Sequence, residues 1–276
     1  MVNRLSVTRR AQAIGALVEG NSIRSTERMT GIHRDTVMRL MVEVGEGCAR
    51  LMDEKMRNLP CQRIECDEIW SYVKMKQNRV RGARQGYLRV GDQWTFVALD
   101  PETKLVPSYL VGKRTTENAV LFMNDLATRL SNRVQLSTDG LHSYVHAVEE
   151  SFGADVDYAQ VVKFYDAVPI GPGRYSPPKV SGQEKTVIMG SPVESKISTS
   201  LVERQNLTMR MQMRRFTRLT NGFSKKLENL KAAVGLHFGH YNFVRQHRTT
   251  RVTPAMAAGV SDRMWSLEEL VEQTSK

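Results

Sequence analysis

The feature that most constrains the fold is a change of period at Asn58-Leu59-Pro60. Before it, apolar residues recur at helical spacing: Ala11, Ile14, Leu17 and Val18, then Val37, Leu40, Met41 and Val44. After it, residues 62–73 (QRIECDEIWSYV) read as a strand. Residues 94–99 and 105–111 read as two more, parted by the turn Asp100-Pro101-Glu102-Thr103. A helix is expected over 116–130, a strand over 133–138, a helix over 144–152, a short strand over 156–162 and a last helix over 198–215.

Three strands, helix, strand, helix, strand, helix is the element order of a ribonuclease-H-like fold, an α/β architecture with a mixed five-stranded sheet flanked by helices. The expected division is a helical domain over 1–57, a catalytic domain over 61–215 and a basic helical extension over 216–276. Residues 74–93 read as a basic loop or hairpin extension. Residues 165–197, rich in Gly, Pro, Ser and Lys, read as a mobile loop over the site.

Charge narrows the partner. The 276 residues carry a net charge of +11, which favours an anionic partner, nucleic acid before a membrane surface or an acidic protein. In the N-terminal region a short helix, the turn Thr30-Gly31 and a helix over 33–44 form a helix-turn-helix candidate. The first residues of the second helix would meet base edges: His33, Arg34, Asp35, Thr36 and Arg39. A small helical bundle with a solvated polar face is the alternative. Cys48, Cys61 and Cys66 form no CxxC pair, and no apolar leader or membrane-length run is visible. The expectation is a cytoplasmic protein with free thiols and no membrane partner.

Three acids stand out. Asp67 lies inside the first strand, where an unpaired acid is costly to bury. Asp139 ends the fourth strand, which neighbours the first in a ribonuclease-H-like sheet. Glu203 is the one acid in STSLVERQNLTMRMQMRR, with Ser198, Thr199 and Ser200 as N-cap candidates. Arg210 lies seven residues on, two turns along the same face. Glu203 is either a salt-bridged surface acid or a metal ligand. Converging carboxylates repel unless cations lie between them, and oxygen ligands favour Mg²⁺ or Mn²⁺. Two such ions suit in-line phosphoryl transfer. His142, three residues after Asp139, is within reach of the same place. His237, His240 and His247 fit no standard zinc spacing.

The runs CDEIWSYV, LSTDGLHSYVHAVEESFG, VERQNLTMRMQMRRFTRLTNGFSKKLENLKAAV and HYNFVRQHRTTRVTPAMAAGV resemble DDE transposases of the family named after the first bacterial insertion sequence (IS-one). The likeness covers most of the chain, and the Glu203 run is its most specific part. It implies a catalytic, metal-binding triad of Asp67, Asp139 and Glu203, with Arg210 as the basic residue two turns on. It implies an enzyme of a bacterial, nucleoid-associated kind, which cuts element ends and joins 3′-hydroxyls to a target. Because two ends are handled together, a homodimer or larger synaptic complex is expected on double-stranded DNA. The chain departs from the pattern at Thr250, where Leu is usual. It also departs at Gly235 and Gly239, where bulkier helix formers are expected and each Gly costs about 1 kcal/mol.

From Arg204 to Arg251 eleven Lys and Arg face one acid, Glu228. Arg214, Arg215, Arg218, Lys225 and Lys226 are the candidates for phosphate contact. Two other readings stand beside the transposase: a ribonuclease-H-like nuclease or integrase acting on another substrate, and a non-catalytic helix-turn-helix regulator. Three intact acids favour catalysis; the paired N-terminal reader and basic C-terminus favour the transposase.

Overall fold

The computed structural model describes residues 5–80, 88–166, 180–217 and 220–275. Three helices open it: α1 (Val7–Val18), α2 (Ile23–Thr30) and α3 (Arg34–Lys55). Ser6 and Ser22 accept backbone N–H bonds from Arg9 and Ser25, which fixes where α1 and α2 begin. The strands follow: β1 (Arg63–Val73), β2 (Gly91–Leu99) and β3 (Tyr109–Gly112). Then come α4 (Thr116–Ala127), β4 (Val134–Asp139), α5 (Ser143–Phe152), β5 (Val156–Tyr165) and β6 (Val180–Met189). Four helices close the chain: α6 (Ser200–Gln212), α7 (Leu227–Phe243), α8 (Pro254–Ala257) and α9 (Leu267–Thr274).

The sheet is mixed and has six strands in the order β3-β2-β1-β4-β5-β6. β1, β2 and β3 pair antiparallel, β4 and β5 run parallel to β1, and β6 returns antiparallel on β5. Five strands were expected, and the sixth lies within the stretch expected to be a loop. Residues 180–189 pair with β5 across Tyr158–Tyr165, so backbone hydrogen bonding to a ready sheet edge overrides a polar, Gly-containing sequence. Of that stretch, residues 167–179 lie outside the described residues.

The third strand is shorter than its apolar run. Leu105 and Val106 are buried but not in the sheet. Val106 gives its N–H to the Asn242 side chain at 3.1 Å and accepts from Asn242 Nδ2 at 2.9 Å, and Pro107 has no N–H to give.

The N-terminal helices, the sheet and the C-terminal helices share one contiguous core. A tight seam lies between α3 and α7. A Cβ on Gly45 would lie 2.0 Å from the Ala232 carbonyl oxygen, one on Gly235 2.5 Å from that of Gly45, and one on Gly239 2.5 Å from Cys48 Sγ. Gly235 and Gly239 are therefore not decay of a helix but the contact surface of one. Two backbones approach too closely there for any larger side chain. No helix among the described residues is long and apolar enough to cross a membrane.

Candidate active site

Strand register brings the first two acids together. The parallel pairing of β1 with β4 runs to Cys66 opposite Thr138, so Asp67 and Asp139 come next, side by side. Glu68, turned to the other face of β1 by strand alternation, still reaches this place. Asp67, Glu68 and Asp139 each put one carboxylate oxygen within 4.8 Å of the others. Glu68 was not foreseen. Its signal was the acidic pair in CDEIW, and alternation argued for only one of the two.

α6 lies along the Asp67 face of β1. Its first turn is held by Glu65, whose Oε2 accepts the N–H groups of Leu201 at 2.8 Å and Val202 at 3.1 Å. One turn and a half later Asn206 donates to Asp67 Oδ2 at 2.8 Å. Five residues of helix rise ~7.5 Å and two of strand ~6.6 Å, so the two elements run together between these contacts. Ser198 Oγ accepts the N–H of Ser200 at 3.1 Å, as a sequence reading expects, while Thr199, the N-cap residue, makes no cap bond with its hydroxyl. Thr199 instead donates to Glu203 Oε1 at 2.7 Å, and a strand carboxylate caps the next two N–H groups.

Glu203 thus stands between the two anchors of α6. Its charge raises the affinity of both Asp67 and Asp139 for a proton, so it belongs to the same electrostatic site. Its carboxylate is paired with Lys163 of β5 and lies outside the cluster of three. The helix ends at Gln212, earlier than the 215 expected, and a 3-10 turn at Arg214–Phe216 follows.

Burial and mutual repulsion raise the acids' affinity for protons. Asp67 is raised to about 6, first by burial and then by the charge of Asp139. Glu68 is raised to about 8 by the same two causes. Asp139 is also raised by burial, against the Leu141 N–H it accepts at 3.1 Å and the charge of Arg114. Arg114 reaches Glu68 at 3.0 Å and Asp139 at 3.5 Å, and its guanidinium lies 4.8 Å over the Trp94 ring. Glu68 is buried, and the Tyr144 hydroxyl beside its carboxylate partly offsets the rise. An all-oxygen donor set, crowded enough that all three acids hold protons more tightly than free carboxylates, fits a hard divalent cation. The cluster can hold a metal ion.

The proposed DNA contacts fall into three places. His33, Arg34 and Arg39 are exposed at the start of α3, with Thr36 half-buried beside Arg39, whose Nη2 donates to it at 3.4 Å. Arg210 is half-buried on α6, two turns past Glu203. Arg214, Lys225 and Lys226 are exposed, while Arg215 is drawn inward, donating to Ser224 Oγ at 3.1 Å and to the Met41 sulfur at 3.0 Å. Arg218 lies outside the described residues. His142 is exposed at the start of α5. His237 and His240 are buried in α7, away from any thiol pair, and serve the core. The three cysteines are free and buried.

No protein-family model matches the chain, and no curated protein matches it. Among solved structures it is similar to the Mos1 transposase paired-end complex with left transposon end. The identity is 14%, the TM-score 0.24, and the match covers 57% of this chain and 60% of that one. It is similar also to the Mos1 strand transfer complex, at 13% identity and a TM-score of 0.23, over 100% of this chain and 81% of that one. The chain thus spans about 60% of the first of these. A likeness this distant carries no argument about activity, which rests on the residues.

Proposed function

We propose that the chain is a DDE transposase of the IS-one family: a Mg²⁺- or Mn²⁺-dependent polynucleotidyl transferase that binds the ends of an insertion sequence, cleaves the DNA and transfers its strands. The observation that carries this reading is the convergence of Asp67, Glu68 and Asp139 within 4.8 Å. It is supported by the strand order β3-β2-β1-β4-β5, which resembles a ribonuclease-H-like sheet, and by α6 docked on β1 with Glu203 facing the same acids.

Asp67, Asp139 and Glu203 are the proposed ligands of two divalent ions, with Glu68 beside them. Such ions supply an activated attacking oxygen and offset charge on the leaving one. The chain's own part is positional. Asn206 orients Asp67, the Leu141 N–H orients Asp139, and Thr199 and Lys163 hold Glu203 until it is needed. The start of α3 reads sequence at the element ends, while Arg210, Arg214, Lys225 and Lys226 hold phosphates. Work on two ends at once calls for a homodimer or a larger synaptic complex.

The test is a cleavage and joining assay with the full-length protein and DNA that carries the sequences flanking its gene, where the reading expects inverted repeats. Products should appear only with Mg²⁺ or Mn²⁺. Glu203→Gln and Asp139→Asn should each abolish cleavage and joining with DNA affinity little changed. Joining retained in both variants would refute the site. Cleavage of any DNA regardless of the repeats would favour a ribonuclease-H-like nuclease instead.

A further inference from the structure

A cavity lies at the far end of α6 from Glu203. Its volume is about 540 Å³, within the ~300–1,000 Å³ usual for small-ligand sites. The turn between α1 and α2 forms one wall. Gly20 there has φ 85°, and a Cβ on it would lie 3.0 Å from the Met211 carbonyl oxygen, so the N-terminal helices sit directly on the end of the catalytic helix. Val18, Ile23, Met38, Met41, Met213 and Leu236 make the lining largely apolar, and three of these are adaptable thioethers.

The charged groups in this cavity are of one sign. Arg24, Arg214, Arg215 and Lys225 line it, and no Asp or Glu does among the described residues. Arg215 faces only a hydroxyl and a thioether, and burial pulls its guanidinium down to about 10. A guanidinium drawn inward without a carboxylate lacks the anion that would offset its desolvation. Gln212, also in the lining, has its Oε1 buried with no hydrogen-bond partner. An amide left in this state suits the edge of a base, to which it can present both an acceptor and a donor.

We propose that this cavity binds an unstacked deoxynucleotide of the DNA substrate, its base among the methionines against Gln212 and its phosphate on Arg215. The inference rests on the DNA-processing reading above and adds a site to it. Nine residues of α6 separate Gln212 from Glu203, about 14 Å along the axis, which a DNA strand spans in about four stacked nucleotides at ~3.4 Å each. The held nucleotide therefore lies a few positions from the phosphate being cut, and removing it from the stack fixes the register of the strand at the acids.

The experiment is a titration of full-length protein carrying ¹³C-methyl methionine, without divalent metal. Deoxyadenosine or deoxycytidine monophosphate should shift Met38, Met41 and Met213 and leave exposed Met264 in place. Inorganic phosphate or the deoxynucleoside alone should shift them far less. Arg215→Gln should weaken binding about tenfold or more, Arg215→Lys less, and Gln212→Ala about fivefold, with the methionine spectrum reporting that each variant is folded. Absence of these shifts, equal shifts with inorganic phosphate, or wild-type affinity in both Arg215→Gln and Gln212→Ala would overturn the proposal. Because no metal and no cleavage are involved, nucleotide binding without metal-dependent cleavage would sink the proposed function alone. Cleavage without nucleotide binding would sink only the cavity.

Discussion

Glu65 on β1 caps Leu201 on α6: its carboxylate accepts the Leu201 N–H at 2.8 Å, and the same oxygen accepts that of Val202 at 3.1 Å. A buried strand acid thereby satisfies two orphan donors of the helix that carries Glu203 and places a negative charge at the positive end of its dipole. Glu65→Ala removes both bonds and leaves the two N–H groups unpaired. The expected loss is about 1–3 kcal/mol in urea unfolding. An unchanged midpoint would show that α6 is held by packing alone.

The α3–α7 seam predicts an effect opposite in sign to helix propensity. Gly→Ala within a helix ordinarily gains ~1 kcal/mol. At Gly45 the new Cβ would meet a carbonyl oxygen at 2.0 Å, and at Gly239 a thiol at 2.5 Å. Gly45→Ala should cost about 3 kcal/mol or more, and Gly239→Ala should also destabilise, because the Cys48 Cβ lies at 2.7 Å and cannot be rotated away. Stabilisation by either, measured by thermal melting, would contradict the close approach.

Arg114 offsets part of the charge of Glu68 and Asp139. Arg114→Gln should lower stability without divalent ions by about 2 kcal/mol, since it leaves buried acids without their guanidinium. Added Mn²⁺ should then raise the melting temperature more in the variant than in the unaltered protein, because ion binding replaces the missing charge. Equal shifts would separate Arg114 from the ion site.

Two histidines predict acid sensitivity. Burial first, and then neighbouring charge, pulls His237 down to about 3 and His240 down to about 4. Both folded values lie below the unfolded value of ~6.5. The stability the pair contributes is therefore fully present above pH ~6.5 and is lost as pH falls toward 4, by an amount on the order of several kcal/mol. The urea midpoint of a His237→Gln/His240→Gln protein should fall less over this range than that of the unaltered protein. Parallel curves would assign the acid sensitivity elsewhere.

The two groups of proposed DNA contacts should separate by substitution. Deleting residues 1–57 is not a clean test, because α1 and α3 contribute Ile14, Val37, Val44 and Cys48 to the shared core. Arg34→Ala and Arg39→Ala, both at exposed positions, should reduce preference for element ends. Lys225→Ala and Lys226→Ala should instead weaken all sequences alike and flatten the salt dependence by about one unit per lost contact. The same result from both pairs would argue against a reader at α3.

The order of elements and two of the acids were legible in the chain because they rest on local signals. Periodicity marked strands and helices, Asp139-Gly140 marked a strand end, and lopsided charge marked the C-terminal segment. β6 was not legible, since a polar run becomes a strand only when an edge such as β5 is there to pair with. Nor were Glu68, Arg114, Lys163 and Asn206, which meet the site only because three strands and a helix are brought together.

α6 shows the division between the two levels. The run from Ser198 to Arg215 determined by itself that a helix would form and that Glu203 would be its one acid, because propensity and composition are properties of neighbours in the chain. Only the tertiary structure decided that Glu65 takes the Leu201 and Val202 N–H groups beyond the one Ser198 accepts, that Asn206 grips Asp67, and that Lys163 holds Glu203. It also decided that Gly235 and Gly239 are contact surfaces rather than flaws. These outcomes depend on which groups meet across 40 to 139 residues or more, and burial there sets what each carboxylate and each glycine is worth.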